Sequence, residues 1–310
     1  MKKISLILTV VIFAVFQTKA QDPTFSQTTA GNVHLNTALA GSTTKARFST
    51  IYRNQWAELS GNYSTAMVNF YQYIPKTNGY GGIKFVSDVQ ANIFFQKSLS
   101  LFYSKNFKLK DLLIRPSLEV GYVNRHLDVS KLTFGDMINP QTGFSNQTGE
   151  TLQADVNYAD VNIGAVFYYK KMLVGLSAHH INQPVSSFTG SGFRLPVNYG
   201  TQLSYVFEFN KISISPFAYY NYQNGFEMFV PGVRFMYNDH FNVALSTRSG
   251  DALLFNLGYQ HKWFLINYSY DVTISKLNNS MTGGSHELSV GLNFWNVKQN
   301  EKFMEVKSVF

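Results

Sequence analysis

The residues of this chain best suited to chemistry are His179 and His180, neighbours that could ligate a metal or move protons. They sit in a strand-like run, and successive side chains on a strand point to opposite faces, so the pair should not build one site. The chain has no Cys, and no further His lies nearby at ligand-like spacing. A hydrolase with Ser and His in the wall of a barrel is conceivable, but no local Ser, His and acid arrangement singles it out. Asp128, Lys131, Asp136 and Glu150 could bind cargo or Ca²⁺, yet their spacing does not reproduce an EF-hand loop. No glycine pattern follows a strand and opens a helix, which leaves no nucleotide loop. The expectation is a non-enzymatic protein with no catalytic residue, no cofactor and no metal.

Other polar residues suggest positions more than reactions. Arg53 and Trp56 end the first strand-like run. They could anchor a neighbouring segment or a partner, but an interface-level Trp and an inward Arg account for them equally simply. Lys76, Lys105, Lys108, Lys110, Lys170, Lys171, Lys211 and Lys262 gather at predicted turns. Such a basic rim could dock a partner, while cationic turns also simply keep an edge in water. Gly121, Gly164, Gly175, Gly200, Gly258 and Gly291 share one face of their runs, where they make room for facing side chains.

The elements that must position these residues are strands. Leu253, Phe255, Leu257 and Tyr259 alternate with Leu254, Asn256, Gly258 and Gln260. Ile114, Pro116, Leu118, Val120 and Tyr122 oppose Arg115, Ser117, Glu119 and Gly121 in the same way. Period-two patterning with one apolar face and one small or polar face marks two-sided strands. Fourteen such runs are predicted, roughly 46–54, 63–74, 79–87, 91–105, 112–126, 157–170, 171–182, 197–209, 211–222, 225–238, 240–248, 251–260, 262–274 and 284–295. Pro116, Pro216 and Pro231 each remove a ladder donor, so bulges or strand ends are expected beside them.

Composition decides what the apolar face meets. The chain has 310 residues, of which only 14% are charged and 16% are aromatic, against about 25% charged in soluble domains. Beyond the first twenty residues no apolar run approaches the roughly 18–20 needed for a membrane helix. Most strand-like runs reach ten or more residues, near the roughly 9–11 that cross a bilayer when tilted. Tight turns follow the even-numbered runs, whereas the long connections, about 127–156, 183–196 and 275–283, follow odd-numbered ones. Outer-membrane barrels have this parity, with short periplasmic turns and longer outside loops. The fold class is therefore all-β: a transmembrane antiparallel β-barrel of about 14 strands, facing outer-membrane lipid. A secreted β-sandwich is the competing reading.

The ends supply the remaining domains. Lys2 and Lys3, an apolar Ile4–Phe16 core and Thr18-Lys19-Ala20 form a signal peptide over 1–20, with Gln21 as the expected mature N-terminus. Its removal lowers the formal charge from +8 to +5, and the scattered positive residues do not argue for nucleic acid. Residues 21–45 lack alternation and read as a periplasmic segment lying before the sheet. The barrel would span 46–295, its last strand closing on Phe294, and 296–310 would form a periplasmic tail.

Five segments in order then resemble the PorP/SprF family of type IX secretion membrane proteins. Asp22, Pro23, Phe25, Ser26 and Gln27 lie in a family-like start. Asn36 opens a segment similar to Asn-Pro-Ala-x-x-Gly, with Thr37 in place of the usual Pro. Arg53, Asn54 and Trp56 belong to Tyr52-Arg53-Asn54-Gln55-Trp56, the most specific match. Phe134, Gly135 and Asp136, followed by Gly143 and Phe144, resemble the long-loop signature. His180 and Pro184 fall in His179–Pro184, which resembles the next loop. The resemblance implies an outer-membrane component of type IX secretion whose partners are periplasmic ring proteins and the C-terminal domains of secreted cargo, including gliding adhesins. The runner-up function is a passive outer-membrane channel or porin.

Overall fold

The computed structural model describes residues 22–27, 33–41, 45–139, 141, 143–144, 148–149, 151–275 and 279–296. The expected signal peptide over 1–20, Gln21 and the expected tail beyond Asn296 lie outside the described residues. Among the described residues, fourteen antiparallel strands close into one barrel. They are β1 (Lys45–Gln55), β2 (Tyr63–Ile74), β3 (Gly79–Gln90), β4 (Phe94–Lys105, continued by Phe107–Leu109), β5 (Leu112–Leu127), β6 (Asp155–Tyr169) and β7 (Met172–His179). The ring continues with β8 (Asn198–Tyr205, continued by Phe207–Phe209), β9 (Ile212–Gln223), β10 (Phe226–Tyr237), β11 (Phe241–Arg248), β12 (Ala252–Gln260), β13 (Phe264–Thr273) and β14 (Ser285–Asn296). Each strand pairs with its sequence neighbours, and β1 meets β14 from Lys45 opposite Asn296 to Gln55 opposite Ser285. Closure removes every sheet edge.

The alternation seen in the sequence becomes the two faces of the wall. Leu118, Val120, Tyr122, Leu253, Phe255 and Leu257 face outward, exposed to the lipid side. Their alternates Ser117, Glu119 and Leu254 are buried inside. The three prolines act where expected. The interruptions at Asn106 in β4 and Val206 in β8 fall opposite Arg115–Pro116 and Ser215–Pro216 in the registers. Pairing of β10 with β11 stops at Gly232, next to Pro231. A residue without an N–H cannot continue the ladder.

The connections 75–78, 170–171, 210–211, 238–240 and 261–263 lie at one end, and the long ones, 128–154, 180–197 and 274–284, at the other. The long-loop end is the outer face by the rule for such barrels. Several boundaries differ from expectation; the third strand, for one, runs on from 87 to Gln90. β4 begins at Phe94 and not at 91 because Ala91 and Asn92 both have positive φ, 53° and 55°, and form the tight turn from β3. β7 stops at His179 because His180 turns left-handed, with φ 58°.

The main correction concerns the N-terminal segment. It is not a periplasmic piece before the sheet: residues 22–27 and 33–41 lie within the lumen, bonded to inward side chains of the wall. The absence of alternation rightly excludes a strand, but the buried charges on the inner wall require partners. The segment's backbone supplies them. It also forms small apolar clusters inside the barrel. Phe25 packs with Ile51, Met67 and Val86, and Ala38 and Leu39 pack with Leu113, Val166, Tyr168 and Leu173.

Candidate functional site

The lumen-filling segment is held at three places, and these form the candidate site. The uppermost joins it to the start of the 180–197 loop. The Asp22 carboxylate accepts from His180 Nε2 at 3.0 Å and from Asn198 Nδ2 at 2.7 Å. Asp160 Oδ1 lies 2.8 Å from the other ring nitrogen. The left-handed backbone of His180 makes this possible, and its own N–H donates to Asn162 Oδ1 at 2.8 Å. Burial works against charge on the His180 ring, but the Asp22 carboxylate and bonds to both acids outweigh it and push the pKa up to about 10. Burial likewise opposes the Asp22 carboxylate, and His180 and Asn198 nevertheless hold it well below the usual carboxylate range. The pair is an ion pair at neutral pH.

The expectation that His179 and His180 face apart is overturned. That argument holds within a strand, and His180 has already left it. Both rings reach the inner segment, with centroids 6.4 Å apart. His179 Nε2 lies 3.2 Å from the Leu35 carbonyl. Nearby, His34 Nε2 donates to the Pro23 carbonyl at 2.9 Å, tying the two lengths of the segment together. Burial and the Lys84 charge lower the His34 pKa to about 4, so this ring is neutral.

The second hold lies across the seam between β1 and β14. Arg53 Nη2 is 2.9 Å from Asp271 Oδ2, and Nη1 is 3.3 Å from Glu287 Oε2. The segment completes this buried array. The N–H groups of Ser26 and Gln27 donate to the two oxygens of Glu287 at 2.7 and 2.9 Å. Ser26 Oγ donates to Asp271 at 2.6 Å and accepts from both Arg53 and Arg248. Two carboxylates and two guanidinium groups therefore converge on one serine. Gln27 Oε1 also accepts from Ser289 Oγ at 2.6 Å.

The third hold lies toward the short-turn end. Asn36 caps a single 3-10 turn, Thr37–Leu39, by accepting from the Ala38 N–H. Its amide donates to the carbonyls of Ala165 and Leu176 at 3.2 and 3.0 Å. A Cβ on Gly164 would lie 2.1 Å from Asn36 Oδ1, so the bare glycine admits the asparagine. Thr37 donates to Ser117 Oγ at 3.0 Å. Arg115 donates to the Ala40 carbonyl at 2.7 Å, and its guanidinium lies over the rings of Tyr80 and Tyr168.

Eight of the sixteen residues singled out in the sequence thus converge on the lumen: Asp22, Pro23, Phe25, Ser26, Gln27, Asn36, Arg53 and His180. Trp56 stands at the outer mouth. Phe134, Gly135, Asp136, Gly143 and Phe144 form a separate hairpin in the 128–154 loop, where Ile138–Asn139 pairs with Gly143–Phe144. Asp136 accepts there from Thr148 Oγ1 and the Gly149 N–H. Pro184 accepts from the Leu195 N–H within the 180–197 loop. Asn54 is a wall residue opposite Ser64 and His286. Sequence reasoning did not select Asp271, Glu287, Arg248, Asp160, Asn198 or Arg115 as site residues. Their signal was charge or amide at inward positions of membrane-length strands, where an unpartnered charge is costly.

A closed antiparallel barrel with a lipid-facing apolar exterior and a polar interior defines an outer-membrane β-barrel protein. The family model for "Type IX secretion system membrane protein PorP/SprF" matches residues 17–292, and the chain belongs to that family. No curated protein matches it. Solved structures with a similar course include Omp33 of Acinetobacter baumannii, at 9% identity and TM-score 0.46, covering 81% of this chain and 98% of that one. The CymD monoaromatic hydrocarbon channel has 10% identity and TM-score 0.46 over 84% and 92% of the two chains. The P. putida toluene transporter TodX has 9% identity and TM-score 0.46 over 81% and 90%.

Proposed function

We propose that this barrel is a non-enzymatic outer-membrane component of type IX secretion. On this reading it meets periplasmic ring proteins at its short-turn rim and supports export or surface attachment of cargo through their C-terminal domains. Family membership supports the secretion assignment. The filled lumen is the single observation that favours a scaffold over a passive channel, because residues 22–27 and 33–41 take up polar groups that a pore would leave to water. Both ring nitrogens of His180 are engaged by carboxylates of its own chain. The exposed lysines of the short-turn rim, Lys76, Lys110, Lys170 and Lys211 among them, suit an acidic periplasmic partner. Affinity purification of the tagged protein should recover periplasmic ring proteins, and deletion of its gene should reduce secreted cargo. Ion conductance in planar bilayers together with unchanged secretion would instead establish the porin. Reversal of Lys170 and Lys171 to Glu with undiminished ring recovery would remove the rim from the proposal.

A further inference from the structure

The outer mouth holds a cavity of about 580 Å³ floored by Asp22, Pro23 and Thr24. That lies within the roughly 300–1,000 Å³ of small-molecule sites. Its charged groups are largely spoken for. Asp88 accepts from Thr65 Oγ1 and Gln90 Nε2 at 2.5 and 2.9 Å. Arg125 donates to Ser186 Oγ at 2.6 Å and lies over the Phe188 ring. Arg248 is shared between Asp251 and Asp271. Among the described residues, the lining side chains of Gln55 and Gln96 carry no hydrogen bond, and Glu227 has no ion pair. Beside them stand the rings of Trp56, Tyr63 and Phe226.

Trp56 is held in a left-handed conformation, φ 57°, which a bulky side chain adopts only under constraint. Such outliers persist where the surroundings enforce them, often at binding sites. Here the Trp56 carbonyl accepts from the Leu59 N–H at 3.0 Å, and its ring rests 5.2 Å from that of Tyr63. The strain presents the indole to the cavity, with two unengaged amides among its neighbours.

We propose that this vestibule is a saccharide-binding site. A sugar ring offers hydroxyls that both donate and accept, which suits the side-chain amides of Gln55 and Gln96 and the carboxylate of Glu227. Its C–H faces suit an aromatic platform such as Trp56. An anionic ligand would need a spare cation, and both lining arginines are already engaged. A peptide that binds by adding a strand needs a free sheet edge, and every wall strand is paired on both sides.

Trp56, Trp263 and Trp295 are the tryptophans of the chain. In a Trp263→Phe, Trp295→Phe background the emission of Trp56 reports on the vestibule. The full-length protein, in a detergent without a sugar head group, would be titrated with the neutral saccharides maltohexaose, cellohexaose and xylohexaose, with a Gly-Ser hexapeptide as comparison. A saturable change is expected with at least one saccharide and none with the peptide. Gln96→Ala and Gln55→Ala should each weaken it about tenfold, the worth of one hydrogen bond. Trp56→Gly, whose conformation suits glycine, should fold and lose the heat of saccharide binding by calorimetry. No saturable response to any of the three saccharides, or an equal response to the peptide, overturns the proposal. Ring association and secretion do not enter this readout, so it stands or falls separately from the function proposed above.

Discussion

Buried charge decides the character of this lumen at the scale of single residues. The Arg53, Asp271 and Glu287 side chains are at most 2% exposed. Burial of ions is tolerated only with partners in good geometry, and removal of one partner strands the others. Arg53→Ala should therefore cost about 3–5 kcal/mol in urea unfolding of the purified barrel. It should also free Ser26 and Gln27, read as faster protease cleavage near them. The His180 contact carries a pH signature. Its folded pKa is raised from 6.5 to about 10, so its contribution is full below pH 6.5 and is lost as pH rises toward 10. Unfolding free energy should fall across that interval in the native protein. His180→Gln should flatten that part of the slope, while the lysines and tyrosines common to both proteins cancel in the comparison. The Asp22 side, with its lowered pKa, gives way only as the pH falls below the ordinary carboxylate range. Arg53 and His180 were visible in the sequence as candidates. Their pairings were not: Asp271 and Glu287 lie more than 200 residues from Arg53, and Asp22 lies 158 from His180, so nothing local encodes them.

At the scale of elements, the strands were legible and the segment inside them was not. Alternation over ten or more residues fixes a face and a length, and β5 and β12 show that pattern cleanly in both sequence and structure. Boundaries failed where one residue adopted a left-handed conformation, as at Ala91 and His180. Neither residue type announces such a turn. The N-terminal segment has no period, since its contacts are made one at a time, by the Asp22 carboxylate, the Ser26 and Gln27 N–H groups, the Asn36 amide and the Ala40 carbonyl among others. An aperiodic polar stretch looks the same whether it is solvated or enclosed. The structure shows it enclosed, and conductance tests the consequence. The native protein should pass little current in a planar bilayer. Removal of residues 22–27, or Ser26→Asp to repel Asp271 and Glu287, should raise single-channel conductance. Equal currents from native and altered proteins would mean that the segment does not obstruct the pore.

At the scale of the whole molecule, strand length and loop parity carried the architecture, and five short ordered segments carried the family. The lumen's contents required three dimensions. The seam joining β1 to β14 has a further consequence, in the order of assembly. Glu287 and Ser289 on the last strand bind Ser26 and Gln27, residues more than 260 positions earlier. The segment precedes β1 in the chain, and the wall is complete only when β14 reaches β1. The segment is thus enveloped as the ring shuts, like a core around which a cylinder is wrapped. The final strand then has two templates to recognise at once: the edge of β1 and the peptide lying behind it. A chain that closed without its core would leave Arg53, Asp271 and Glu287 without that peptide.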